Sequence, residues 1–535
     1  MSKGATEKLP TQERAVNHLP LLFTTLMIVM LLASLSQMIL STALPTIVGE
    51  LHGVKNMMWV ITAYMLTSTI SMPVYGRLGD QYGRKSMLLI AIGFFLVGST
   101  LGGLAHDMNW LIIGRSIQGL GGGGLMILSQ ASVADFVSAR ERGKFVGIMG
   151  GVFAVSSVAG PLLGGWFTEG PGWRWAFWIN IPLAVLAVIA IITLMPSLQS
   201  TATKKLRIDY LGIALISLTT TSIILIATWG GHQYAWASAQ IIGLSIGTLV
   251  VGLLFVITEN RALHPIIPLP LFKNRNFVLA TLSGLATAIA MFGALGYLPT
   301  YFQMAEGVSA TGAGLLMIPM MGSMLVTSVV VGAIVSKSGR YKMIPIIGSA
   351  VTALGLWLLS TITIHTTLTT ISIYMAVLGL GLGMSMQILT LIVQNEFPHR
   401  IVGTATAANN YFRQVGSSLG AAVVGSMFVA RLTSLLAERL PTGALKSQGS
   451  QSLTPALVNA LPAAIKRIII SSYNEALVPI FVFMVPLGLL AGLLLLFLKE
   501  TPLATEIKHE IPAEAMAEGQ VLITEFEEDN AQSQH

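Results

Sequence analysis

The chain contains no cysteine, which excludes disulfides, thiolate metal sites and cysteine nucleophiles. Charge is scarce as well: Asp, Glu, Lys and Arg make up 10% of the 535 residues, against 53% for the hydrophobic class. A soluble domain carries roughly a quarter charged residues, so this chain cannot cover a water-facing surface of its size. No HExxH motif, nucleotide-binding P-loop or convincing nucleophile–base pair is present, which argues against an enzyme or an ATP-driven machine. The first apolar run, 19–48, is far too long for the apolar region of a cleavable signal peptide.

Long apolar runs are what the sequence has instead. A helix needs about 20 mostly apolar residues to cross a bilayer. Fourteen runs qualify: 19–45, 56–75, 86–105, 109–134, 143–168, 174–196, 208–229, 238–258, 277–303, 310–335, 343–362, 369–395, 402–430 and 474–498. The net charge of +7 lies in short basic clusters between these runs, a mark of topology rather than of a nucleic-acid face. With the N-terminus placed in the cytoplasm, 21 of the 30 Lys and Arg residues fall inside and seven outside. Five of the seven belong to one long loop at 431–473, where the positive-inside rule has little force. Arg115 and Arg413 remain within spans. The expectation is an all-α polytopic protein of the plasma (inner) membrane with both termini cytoplasmic.

An internal repeat divides the chain. GRLGDQYGRK (76–85) follows the second span, and GAIVSKSGRY (332–341) follows the tenth. Gly76, Gly83 and Arg84 recur as Gly332, Gly339 and Arg340, each displaced by 256 residues. Two homologous six-helix bundles would give this pattern, with two extra helices between them. The predicted organisation is an N-terminal tail (1–18), a first bundle (19–196), two inserted helices on basic linkers (197–275), a second bundle (276–498) and an acidic tail (499–535). The tail after Leu498 holds nine acidic residues against two lysines, the composition of a solvating, disordered segment. Within the 431–473 loop, Leu457 to Tyr473 reads as a short helix lying on the outer surface.

GRLGDQYGRK resembles the loop motif of the major facilitator superfamily, and LIIGRSIQGLGGGG (111–124) resembles its fourth-helix arginine motif. AVSSVAGPLLGG (154–165) resembles the fifth-helix motif associated with antiporters. WVITAYML (59–66) and WRWAFWINIP (173–182) are similar to stretches of the fourteen-helix QacA/EmrB-type drug:proton antiporters. The resemblance covers nearly all of 20–500 and implies a monomeric, non-enzymatic exporter of small amphipathic compounds. The resemblance further implies protons as the coupling ion, with unusual or no proton coupling as the alternative, no cofactor and no metal, and membrane lipids as the surroundings.

Residue chemistry adds candidate roles. Gly76 and Gly83 permit a tight reversal, and Asp80 and Arg84 can pair or cap helix ends. The resemblance implies that Arg84 reaches Asp135 and locks the cytoplasmic face, with Gly332, Gly339 and Arg340 as the second copy. Arg115 and Gln118 share one helix face. An arginine at mid-span costs about 2.5–3.5 kcal/mol, so Arg115, Asp135 and Arg413 are candidates for a proton relay or cavity charge, with a structural arginine as the alternative for Arg115. Gly160, Pro161, Gly164 and Gly165 suit a kinked, closely packed helix. Ser36, Gln37, Ser41, Tyr64, Gln118, Tyr297, Gln387, Asn409, Asn410 and Gln414 are polar or aromatic positions that can line a substrate cavity. The family's first helix carries a membrane-embedded aspartate where this chain has Ser36. A serine cannot carry a proton at physiological pH. This favours neutral, anionic or lipid-like substrates over dications, and makes a lipid or envelope-precursor exporter the second reading.

Overall fold

The computed structural model describes residues 19–52, 56–196, 208–231, 233–295, 297–305, 307–308, 310–440, 458, 462–503 and 505. Among them, thirteen helices are long and apolar enough to cross a membrane, and a fourteenth apolar helix of 17 residues occupies the eleventh expected position. In chain order they are α1 (Leu19–Glu50), α2 (Met57–Tyr82), α3 (Arg84–Gly103), α4 (Met108–Phe136), α5 (Ala139–Glu169), α6 (Trp175–Leu194) and α7 (Tyr210–Trp229). They continue as α8 (Ala239–Arg261), α9 (Arg275–Ala305), α10 (Gly312–Ser338), α11 (Met343–Leu359), α12 (Leu368–Glu396), α13 (Val402–Arg439) and α14 (Ala463–Leu496). A backbone in hydrocarbon must satisfy its own hydrogen bonds, and helices do so within one segment.

Helix starts follow side-chain capping. Asp107 accepts from Trp110 N at 2.8 Å, Asp209 from Gly212 N at 2.8 Å and Thr367 from Thr370 N at 3.3 Å. Each removes an orphan N–H from a first turn. The reversal between α2 and α3 is made by Gly83 at φ 90°, and α10 ends on Gly339 at φ 72°, backbone angles that glycine adopts without a Cβ penalty.

The first bundle packs α2 and α3 on α4, and α5 and α6 on α1. The second packs α9 on α13 and α14, with α12 against α10 and α11. Contact within a bundle relies on missing side chains: a Cβ on Gly98 would lie 2.2 Å from Gln118 N, and one on Gly379 2.1 Å from Met320 O. Without a hydrophobic force between helices in lipid, such close approach is the main source of association. The inserted pair α7–α8 rests on α2 and α13 through α7, while the apolar stretch of α8 is only 6% buried and faces outward.

The predicted 431–473 loop is corrected. Helix α13 continues to Arg439 and α14 already begins at Ala463, with Ile469 and Tyr473 buried among the helices rather than lying on a surface. The polar residues there end an apolar run but do not break a helix, because a helix can outlast the hydrocarbon layer. The N-terminal tail, the KKLR linker and the acidic segment beyond 505 lie outside the described residues. The chain just after α14 is tied to the face that holds the α2–α3 turn. Asn276 Nδ2 donates to Lys499 O at 2.7 Å, and Thr501 N to the Tyr341 hydroxyl at 2.9 Å. Burial pushes the Tyr341 phenol up, against the opposing pull of the Thr501 donors. An even number of crossings puts the start of α1 and the end of α14 on this face, called the terminal face below.

Candidate functional site at the seam between bundles

The two largest contacts between the bundles are α2 with α13 and α5 with α10. Both seams are closed by the repeated glycines. A Cβ on Gly76 would sit 2.3 Å from the Ala407 Cβ, and one on Gly332 2.4 Å from Gly143 O. The two copies of the motif thus do the same packing job, one at each seam.

At the terminal face the α2–α13 seam carries buried charge. Asp80 Oδ1 accepts from Gly403 N at 3.1 Å, and Oδ2 from Thr404 N at 2.6 Å and Thr404 Oγ1 at 2.8 Å. A carboxylate from one bundle therefore caps the N-terminus of a helix in the other, where orphan N–H groups and the positive end of the dipole favour an anion. Arg84 Nη2 holds Asp80 at 3.1 Å, and Arg84 Nη1 bonds Asp135 and Ala131 O. Asp135 Oδ1 also lies 2.6 Å from His399 Nε2, which belongs to the second bundle.

The α5–α10 seam reverses the polarity. Arg140 donates to Ser336 O at 3.0 Å and Lys337 O at 2.6 Å, the last carbonyls of α10. Ser336 stands where the first copy has Asp80, and Arg340 lies exposed in the second copy. Further bonds cross nearby: Arg142 to Gln394 O at 3.3 Å, Gln394 to Gln130 O at 3.2 Å, Asn410 to Gln130 Oε1 at 3.1 Å and Ser328 to Gly147 O at 2.9 Å. At the opposite end, the ion pairs Arg174–Glu50 and Arg439–Glu475 each stay within one bundle.

The polar residues expected to line a cavity divide into two sets. Ser36, Tyr64, Arg115 and Gln118 are all at least 97% buried inside the first bundle. Arg115 donates to Gln118 Oε1 at 2.6 Å and to Val60 O at 3.3 Å, and its guanidinium lies 4.1 Å from the Tyr64 ring centre. Gln118 in turn donates to Ser36 Oγ at 3.0 Å and Ser99 Oγ at 2.7 Å. In this conformation none of the four opens between the bundles. Asn409 is likewise buried, bonded to Thr281 Oγ1 at 3.2 Å, while Asn410 accepts from Arg413. Gln37, Gln387, Gln414, Arg413 and Tyr297 are half-buried and Ser41 is exposed. Gln387 lies against Gly150 on α5, and Tyr297 packs on Phe428 at 5.3 Å. The antiporter-like stretch of α5 presses on α1: a Cβ on Gly160 would meet Met38 Cβ at 2.3 Å, one on Gly164 would meet Ile39 O at 2.6 Å, and Gly165 has open space.

Sequence reasoning missed Gly403, Thr404, His399, Arg142, Gln130 and Gln394. Gln130 is a polar residue deep in an apolar span, a signal that was available. Asp80 bonds partly to backbone, which carries no residue-type signal.

Two pseudo-symmetric bundles joined at glycine-packed seams, with an inserted helix pair between them, define a multi-pass membrane transporter. The chain belongs to the Major Facilitator Superfamily, whose family model matches residues 26–421. It is 40% identical over 483 residues to an uncharacterized MFS-type transporter of Mycobacterium tuberculosis (strain H37Rv), covering 90% of this chain and 70% of that one. It is 38% identical over 420 residues to the multidrug transporter protein MdtP of Bacillus subtilis, covering 78% and 77%. Among solved structures, the human organic anion transporter MFSD10 superposes with a TM-score of 0.60 at 14% identity, over 91% of this chain and 100% of that one.

Proposed function

We propose that this chain is a secondary exporter of small amphipathic compounds, working by alternating access and coupled to protons, from the plasma membrane of its cell. The structure is then the state shut at the terminal face. The observation that carries the reading is Asp80, whose side chain is 1% exposed and caps α13 across the seam. Such a bond can exist only while the bundles meet at that end. A cap of this kind contributes about 1–2 kcal/mol in buried geometry, enough to bias a two-state rocking equilibrium roughly tenfold. Opening must break the cap, and substrate or proton binding must supply the difference. The multidrug name of the Bacillus relative supports amphipathic substrates. Ser36 leaves the middle of the first helix without a carboxylate, which directs coupling to groups at the seam.

Export of lipid-like envelope precursors is the second reading. It is favoured by a mainly apolar, open groove of about 570 Å³ between α11 and α14, lined by Ile346, Ala350, Pro486, Leu489, Leu493 and Leu496. The test is an efflux screen of dyes, antibiotics and fluorescent lipids in cells lacking other pumps. Asp80→Asn, at equal membrane level, should lower efflux of any transported compound about tenfold. Efflux of nothing in the panel, or efflux indifferent to Asp80→Asn, overturns the proposal.

A further inference from the structure

A rocking transporter coupled to protons needs a titratable group whose surroundings change between states. The middle of the first helix does not provide one, since Ser36 is sealed against Gln118. Among the described histidines, His399 is the one engaged in an ion pair. It sits in the short 3₁₀ turn His399–Ile401 that leads into α13, on the second bundle, and its side chain is 33% exposed. Its partner Asp135 ends α4 on the first bundle and is 3% exposed. A proton can thus reach the imidazole from the terminal side, while the carboxylate it faces is buried.

We propose that His399 is a proton-binding catch, its imidazolium closing the terminal face by pairing with Asp135 across the seam. The inference rests on the alternating-access reading and names the group through which protons act on it. The chemistry is one addition: an imidazole takes one proton and becomes an imidazolium whose Nε2 stands 2.6 Å from Asp135 Oδ1 as an ion pair. Rocking the bundles apart removes Asp135 from reach, so the charged form favours the shut state and the neutral form releases it. Histidine is the side chain whose ordinary titration lies nearest neutrality.

The surrounding charges keep this contact within reach of balance. From α3, Arg84 shares Asp135 Oδ1. From α5, Arg142 bonds Ala134 O, Val137 O and Gln394 O beside it. From α2, Asp80 engages Arg84, and Arg77 feels both Asp80 and Arg400, the neighbour of His399. From α12, Glu396 is occupied by Asn274, Asn276 and Thr501. Asp80 and Asp135 thus face Arg84 and Arg142, with Arg77, Arg400 and Glu259 next to them, and a proton on His399 adds one more positive charge beside Asp135.

The absence of native cysteine allows a direct test. Spin labels on Tyr82→Cys and Met343→Cys, exposed at the terminal ends of the two bundles, report the distance between them in nanodiscs. The shut-to-open ratio should fall about tenfold between about pH 5.5 and about pH 8. His399→Gln should flatten that response, and His399→Lys should hold the shut distance throughout. Asp135→Asn should remove the response while leaving His399 in place. A pH response that survives in His399→Gln overturns the proposal, as does an open distribution in His399→Lys. Size-exclusion profiles matching the parent verify that each variant is folded. Efflux measured on the same proteins separates the two ideas: a pH-driven distance change with no substrate movement defeats the transport reading and leaves the catch standing.

Discussion

Arg115 shows what a single buried charge does in this protein. It is 1% exposed and meets no carboxylate among the described residues; its partners are Gln118, the Val60 carbonyl and the Tyr64 ring. Removing it would strand two buried acceptors, each costing about 1–3 kcal/mol. Arg115→Met should therefore lower the thermal unfolding midpoint in detergent, and Arg115→Lys should recover only part of it because a point charge lacks the guanidinium fork. If Arg115→Met unfolds at the parental temperature but stops efflux, the arginine serves transport rather than structure. The sequence marked Arg115, Gln118 and Ser36 individually, because polar groups in an apolar span are costly. It put Arg115 and Gln118 on one face of α4 but did not show that Gln118 bonds Ser36 and Ser99, since those two lie on α1 and α3 and only packing brings the three helices together.

At the scale of the element, the two seams use helix ends in opposite senses. Asp80 neutralises the positive end of α13, and Arg140 the negative end of α10. The difference is burial: Asp80 is enclosed, whereas Arg140 is half-exposed and water can replace it. Arg140→Ala should consequently reduce efflux no more than about twofold, against the larger loss expected from Asp80→Asn. Equal losses would mean that geometry, not burial, sets the strength of each cap. Of this arrangement the glycines and Arg84 were readable from motif spacing, and Asp135 only through the family resemblance. The receiving ends, Gly403 and the amide of Thr404, were not, because a backbone N–H looks the same at every position. The end of α13 was misread for a related reason: hydropathy reports where lipid stops, and nothing in it reports where hydrogen bonding stops.

For the whole molecule, apolar runs checked by basic-residue alternation and the 256-residue repeat offset were enough to reach fourteen helices. They succeed because the bilayer forces every crossing to be a long apolar helix. Conformational state and partner choice depend on contacts between distant segments, which no local pattern encodes. The length of α13 has a consequence of another kind. At about 1.5 Å per residue, its 38 residues span about 57 Å, nearly twice the hydrocarbon thickness of about 30 Å. With α14 of 34 residues beside it and the Arg439–Glu475 pair near its tip, it is long enough to rise past the lipid as a stalk opposite the terminal face. Protease added to intact cells should cut near this stalk and spare an epitope on the C-terminal tail, whereas inside-out vesicles should give the reverse. The stalk is thereby a flagpole for the protein's sidedness, readable from outside the cell without opening it.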